Sequence, residues 1–581
     1  MNIKFRKGIS SYMINRKLLL ALVAVLLIVL LAACGGGSKS GGDSAEPSTS
    51  QNGTTTETGD TEEGPPDPVT FTYFNAGASR KDVETKDTMI GKVYYDATGV
   101  NWRIEHLVGE VQTRIGTMIA GGQYPDVVVP DTEIDKMVDA GAFIDLKPLI
   151  EEHAPNIKRV YEPYYNLMED DQGRIFFLPF SPLVGEYIPS PVIDQGAFWI
   201  QRRVLKEFNY PKIKTLDEYF DLIRQYIAKY PNEDLIGFTI LTDDWRFFVL
   251  TNPANHLAGY PNDGAVMVDM ETLEATDYGA SEYMKRWLKA LNELNAEGLL
   301  DQASFTNNYD QYLARLVSGK VLGYFDYGWQ VNQANMSLQQ AGNDDLEYFP
   351  LPIVFDHDIK DQYIDPPSFV NNRGIGITVS AQDPVRIIKF WDFMLEEENQ
   401  IMNQWGIEGV TYEVDENGRL YRTPEQIEAL RDQEYQQEVG LTYFSYYWPM
   451  YSQESTLPDG NAVAPGRQPE VAQMSFTEGD REILSKYGVQ TFAELFSPPD
   501  DRPWYPAWSI SLETGSPAQL FEQRRDDLQR EYFPRIILAS PEEFESVWNE
   551  YETLYNQLDV ELYEQTMTEL IRAKVEAVTG N

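Results

Sequence analysis

A single cysteine, Cys34, in 581 residues leaves no disulfide possible within the chain. Histidine is nearly as scarce. His106, His153, His256 and His357 are scattered, with neither an HExxH pair nor metal-ligand spacing, so solvated or hydrogen-bonded roles are expected for them. Nucleophile and phosphate motifs are missing too: there is no GxSxG, no Walker A and no complete GxGxxG. Gly374-x-Gly376 lacks the third glycine and enters a strand. Asp415-Glu416-Asn417-Gly418 lacks the alternating ligands and closing glutamate of an EF-hand and reads as a hairpin turn. Basic residues are in deficit, 47 Lys+Arg against 91 Asp+Glu, for a net charge of −44. Such a surface repels nucleic acid, so no nucleic-acid partner is expected, and it favours solubility. No repeat at solenoid or propeller periods is present. Neither a cofactor nor a metal is implied. Carboxylates are so abundant that a glycosidase acid/base pair stays open.

What is present begins at the N-terminus. Lys4, Arg6, Lys7, Arg16 and Lys17 precede an apolar run from Leu18 to Ala33, and small residues close it. This is the layout of a secretory signal peptide; the run falls short of the ~20 residues of a spanning helix, although a plain transmembrane anchor is the alternative. Leu31-Ala32-Ala33-Cys34 resembles the bacterial lipoprotein box, which implies that Cys34 is lipidated and becomes the mature N-terminus. A diacylglyceryl group has two chains, enough for stable anchoring to a membrane. From Gly35 to about Pro68, Gly, Ser, Thr, Glu and Pro dominate, so no core can form and a tether is expected.

Globular sequence starts at Val69. Strands are expected at Val69–Phe74, Val100–Leu107, Tyr124–Asp131, Ile236–Leu241, Val321–Asp326 and Asn372–Val379. Helices are expected at Glu110–Ala120, Lys147–His153, Phe198–Phe208, Ser281–Ala296, Tyr309–Ser318 and Pro384–Glu397, and Thr215 with Glu218 forms a capping box. Past Arg422 the pattern is mainly helical, broken by an aromatic, Pro-rich section from about Leu441 to Trp508. Strands alternating with helices argue an α/β layer architecture with a largely parallel sheet.

Aromatic residues are plentiful, with 35 Tyr, 27 Phe and 11 Trp. A sugar offers fans of hydroxyls and flat apolar C–H faces, so its site needs aromatic platforms and a few fixed polar groups. Several tryptophans sit at element ends. Trp329 follows a strand with Asp326 and Tyr327 just before it, and Gly328 permits a sharp bend there. Trp245 lies among acidic residues and Arg246; Trp405 precedes Gly406-Ile407-Glu408; Trp448 lies among Tyr446, Tyr447 and Pro449. These four, with Asp326, Tyr327, Glu408 and the strand-end Asn75, are the candidate ligand contacts. For each tryptophan a core-packing role is the alternative.

The lipobox, "GRIFFLP", "FWIQRRVLKEFNYPKIKTLDEYFDLI", "LVSGKVLGYFDYGW" and "NQWGIEGVTYEVDENGRLY", taken in order, resemble extracellular solute-binding lipoproteins of ABC transporters, in the long carbohydrate-binding form of Gram-positive bacteria. The family often has Arg-Lys-Asp-Trp after its Trp-Ile, where this chain has Gln201-Arg202-Arg203-Val204. The resemblance implies an α/β, two-lobe periplasmic-binding-protein-like fold of type II, with crossing hinge strands and a mainly helical C-terminal part. It implies a carbohydrate ligand in the cleft, ABC permease transmembrane subunits as partners, a monomer, and the outer face of the cell membrane. On that plan residues 1–33 are signal peptide and 34–68 the lipidated Cys34 and tether. Residues 69–180 open lobe one, 181–350 open lobe two, 351–440 return to lobe one, and 441–581 form the insertion and C-terminal helices, mostly in lobe two. Three other readings stay open: a lipid-anchored glycoside hydrolase or polysaccharide lyase, a binding lipoprotein for peptide or another solute, and a non-transport role as an adhesin or a sensor's binding subunit.

Overall fold

Two sheets carry the fold, each built on short, densely buried strands. The computed structural model describes residues 67–579 apart from 79, 366–368, 501 and 503–506. The leader, Cys34 and nearly all of the tether lie outside the described residues.

The first sheet takes β1 (Val69–Asn75), β2 (Val83–Glu84), β3 (Val100–His106), β4 (Val127–Val129) and β5 (Leu178–Pro179). The second takes β6 (Gly196–Gln201) and β7 (Ile236–Thr239), while β8 (Val266–Val268) and β9 (Ala275–Asp277) pair only with each other. β10 (Val321–Tyr327) and β11 (Tyr348–Leu351) complete the second sheet, and β12 (Gly374–Ile377) returns to the first. β13 (Glu413–Val414) and β14 (Leu420–Tyr421) close a small hairpin over Asp415–Gly418, the turn expected there.

The six-stranded order is β2-β3-β1-β4-β12-β5, with β1 parallel to β3 and β4. The four-stranded order is β11-β6-β10-β7, with β10 parallel to β7 and antiparallel to β6. Strand alternation sends Tyr73, Val127 and Val129 to one face of the first sheet, into a core with Trp102, Trp391 and Trp448. Phe74 and Val128 face the other way, into a smaller cluster with Ile115 and Phe143. The second sheet has its own core, around Phe198, Phe238, Trp287 and Phe325.

The first sheet's main core draws on residues 71–180 and 369–471, the second on 193–363 and 476–571. Among the described residues the chain therefore passes between the cores three times. The outgoing and returning strands β5 and β12 lie side by side, Pro179 opposite Gly374. This is the α/β two-lobe plan with crossing strands, closed by the helices Pro517–Leu538, Phe544–Tyr555 and Val560–Thr579.

One element departs from expectation. The segment Phe198–Phe208 is expected to be helical throughout, yet Gly196–Gln201 is a strand of the second sheet and only Arg202–Glu207 is helical. All six residues of β6 are buried, and a continuous apolar run carries no periodicity that separates a buried strand from a buried helix.

Candidate ligand-binding site

Because β7 and β10 are parallel neighbours, the chain leaves both at the same edge of the second lobe. From β7 it runs through the short turn Asp244–Phe247 into the helix Phe248–Leu257; from β10 it enters the helix Gly328–Gln340 directly. Trp245 and Trp329 meet there, rings parallel within 2° and centroids 6.0 Å apart. Phe248 lies against both, at 5.9 and 6.4 Å. The indoles are 52% and 53% exposed. Ligands in open α/β sheets gather outside the carboxyl ends of strands, and that is where this apolar surface sits. Gly328 serves it by close approach: a Cβ there would lie 1.9 Å from the Ile193 carbonyl oxygen. A positive φ is not involved, contrary to the sharp bend expected from its position.

A polar chain fixes the platform from behind. The Arg246 guanidinium lies over the Trp245 ring at 4.4 Å and the Tyr309 ring at 4.0 Å. Its Nε donates to Gln330 Oε1 (3.0 Å), and Gln330 Nε2 donates to Asp326 Oδ1 (2.7 Å). Asp326 Oδ1 also accepts the Tyr327 backbone N–H at 2.7 Å, and the carboxylate faces the buried Tyr312 hydroxyl. Asp326 is fully buried, and burial pushes its carboxyl up to about 7 against the opposing backbone and side-chain hydrogen bonds. Tyr327 is buried as well; its hydroxyl accepts from Asn252 Nδ2 at 2.9 Å and lies 3.2 Å from His256 Nε2. Burial holds His256 down to about 4, so it is neutral at ordinary pH. Asp326 and Tyr327 therefore support the platform from within, and neither presents its side chain to solvent.

The other candidates lie elsewhere. Trp405 is buried, donates Nε1–H to the Ala462 carbonyl at 3.1 Å and packs on Tyr412. Trp448 is buried between Tyr73 and Trp102, with its N–H on the Tyr443 carbonyl at 2.7 Å. Both indoles are satisfied inside the first core, so the packing alternative describes them in this conformation. Glu408 is exposed on the loop between Trp405 and Tyr412, both of which pack in the first core. Asn75 ends β1 in the first sheet and is spent locally: its Oδ1 accepts the Gly77 N–H at 2.9 Å. Past the neighbouring β4, Asp131 accepts from Arg373 Nε at 3.0 Å, and the Arg373 guanidinium lies 5.9 Å from the ring of Trp508, whose neighbour Ala507 packs in the second core. Phe248, Gln330 and Tyr309 complete the platform without standing among the residues expected there. The signal for Phe248 was available, since it lies in the same post-strand segment as Trp245.

Two α/β lobes, each with parallel strand ends, and aromatic faces laid bare at one of those edges define a two-lobe solute-binding protein. A model of the bacterial extracellular solute-binding protein family matches residues 93–425, and the chain belongs to that family. Among curated proteins, it is similar to the fructooligosaccharide ABC transporter substrate-binding protein FusA of Streptococcus pneumoniae serotype 4, 23% identical over 288 residues. The match spans 46% of this chain and about half, 51%, of FusA. Solved structures agree on the fold. FusA in complex with kestose matches with a TM-score of 0.64 at 16% identity, over 87% of this chain and 99% of that one. The alginate-binding protein AlgQ2, without calcium, gives 0.60 at 18% identity, over 87% and 98%. An HMO-binding solute-binding protein from Bifidobacterium longum infantis gives 0.60 at 13% identity, over 87% and 99%.

Proposed function

We propose that this chain is the membrane-anchored extracellular substrate-binding protein of an ABC importer, and that it captures an oligosaccharide in the cleft between its lobes. The observation that carries the reading is the pair of parallel, half-exposed indoles at the ends of β7 and β10. Indole faces match the C–H faces of sugar rings, and a wide apolar surface of this kind is otherwise a cost in water. The names of the relatives support the same direction: FusA is described for fructooligosaccharides and AlgQ2 for alginate. Capture works by closure of the lobes about the crossing strands, a population shift limited by the ligand's preference for the closed state. The closed form is then presented to the permease. Lipid attached at Cys34, with residues 35–68 as tether, keeps the protein at the membrane. The protein acts as a monomer and no residue is assigned a catalytic role.

Calorimetric titration with a panel of defined oligosaccharides, followed by chromatography of the recovered sugar, tests this reading. One-to-one binding with the sugar returned intact is expected. Product accumulating with protein and time would move the protein to the hydrolase or lyase class. Binding of peptides in preference to every sugar would move it to the peptide-binding class.

A further inference from the structure

Beside the platform is a second feature that its chemistry does not use. A cavity of about 300 Å³ opens between the chain entering β6 and the part of the first lobe spanning residues 403–467. Ser190 and Asp194 stand on one side; Gln404, Gln436, Ser445 and Arg467 stand on the other. Val192, Leu430 and Leu441 supply apolar wall between them. Its volume lies at the lower end of the range for small-molecule sites.

The charges here are already matched. Arg467 donates to Glu454 at 2.7 Å and lies 3.6 Å from Asp194. Arg422, also on the wall, donates to the carbonyls of Thr411 (3.1 Å) and Trp405 (3.1 Å), the latter ending the helix Glu397–Trp405, where a cation is favoured. No free charge is left to hold an ion. Several donors of the wall are spent as well: Gln436 Nε2 on the Leu430 carbonyl (2.6 Å), Ser445 Oγ on the Thr442 carbonyl (3.2 Å) and Ser190 Oγ on Asp194 (3.3 Å). What remains is chiefly the amide oxygens of Gln404, Gln436 and Gln453, acceptors suited to the hydroxyls of a sugar ring. Asn403 on the same wall is 2% exposed and its Nδ2 has no partner, a buried donor that the protein itself leaves unsatisfied.

The cavity touches the platform. The Asp194 carbonyl accepts the Trp329 backbone N–H at 3.1 Å, and Asn332, one turn along the same helix, approaches the Asp194 carboxylate at 3.5 Å. We propose that this cavity seats one terminal sugar unit of the bound oligosaccharide, with the following units running out along Trp329 and Trp245. The proposal rests on the oligosaccharide reading of the platform. It adds that the protein recognises a chain end, so a free terminal unit and at least one further unit are both needed for tight binding.

Gly466 gives the means of testing it. It lines the cavity, its φ lies outside the left-handed region, and a Cβ built on it meets nothing within 4 Å. A side chain there grows into open space. Wild type, Gly466→Phe and Trp329→Ala are titrated with kestose, nystose, maltotriose and cellotriose, and their melting curves are recorded without sugar. For a sugar that wild type binds, Gly466→Phe is expected to melt as wild type does and to bind at least about tenfold more weakly. Gly466→Leu is read in the same way should the larger ring lower the melting temperature. Unchanged affinity in a folded Gly466 variant, with Trp329→Ala weakened, overturns the cavity assignment and leaves the platform standing. Absence of binding by wild type to all four sugars overturns both.

Discussion

The indoles of Trp245 and Trp329 lie parallel within 2° at 6.0 Å, although 84 positions (329 less 245) separate them in the chain. Parallel pairing of β7 with β10 brings them together, and both remain half open to solvent. Removing a central aromatic anchor costs about 2 kcal/mol of binding, roughly thirtyfold in affinity. Trp329→Ala and Trp245→Ala are each expected to weaken oligosaccharide binding to that degree with little change in melting temperature. Because the rings touch the same partners, the double variant should lose less than the sum of the two. A large fall in melting temperature with affinity intact would make them packing residues instead.

Arg246 acts one step back. Its guanidinium is held between two rings and bonded to Gln330, so it fixes the angle of Trp245. Arg246→Ala should weaken sugar binding about three- to tenfold, with loss of a stacked cation worth about 1 kcal/mol. Arg246→Lys should not restore it, because an ammonium cannot stack flat or bond Gln330 in the same plane. Restoration of full affinity by lysine would show that only the charge matters.

The sequence was informative where structure is local. β1, β3 and β10, the capping box at Thr215 and the hairpin at Asp415–Gly418 all follow from short-range pattern. It was misleading at Gly196–Gln201, where complete burial erased the period. The four tryptophans show the same division. Trp245, Trp329 and Trp405 sit at element ends and Trp448 in an irregular stretch, but only the pairing of distant strands decides that Trp245 and Trp329 emerge together while Trp405 and Trp448 turn inward. Nothing near Trp448 in sequence announces Tyr73 or Trp102 as its neighbours.

Those two inward tryptophans give the converse prediction. Trp448 packs on Tyr73, Trp102, Phe390 and Phe444. Truncating it leaves a cavity and an unpaired Tyr443 carbonyl, for a loss of about 3–5 kcal/mol in folding stability. Urea denaturation of Trp448→Ala should show that loss, and the folded fraction should bind sugar with wild-type affinity. A weakened affinity without destabilisation would return Trp448 to the cleft.

The anchor is tested apart from the binding site. Cys34 is the sole cysteine and ends the Leu-Ala-Ala-Cys box, so Cys34→Ala should leave unprocessed precursor or protein shed into the medium. Fractionation and labelling with a fatty-acid probe report on it. Processing and membrane retention equal to wild type would rule out the lipoprotein assignment.

The last prediction concerns the buried acid beneath the platform. Burial raises the Asp326 carboxyl to about 7, above the ordinary 3.8, so the folded protein holds a proton that the unfolded chain has released. Between about pH 4 and 7 the native state therefore binds more protons, and stability contributed at this site falls as pH rises, becoming flat above about 7. His256 runs the other way: held down to about 4 from 6.5, it lowers stability as pH falls through that range. Comparing wild type with Asp326→Asn cancels the histidine, because both proteins keep it. The groups facing Asp326 are Arg246, Tyr309, Tyr312, Tyr324 and Tyr327, and none of the tyrosines ionises below pH 8. Asparagine still offers an oxygen to Gln330 and to the Tyr327 N–H, so the platform is expected to keep its geometry. Urea denaturation at pH 4.5, 6 and 8 should show Asp326→Asn gaining on wild type as pH rises. Parallel pH profiles for the two proteins would mean that Asp326 titrates alike in the folded and unfolded chain, and the assignment of a protonated acid under Trp329 would be withdrawn.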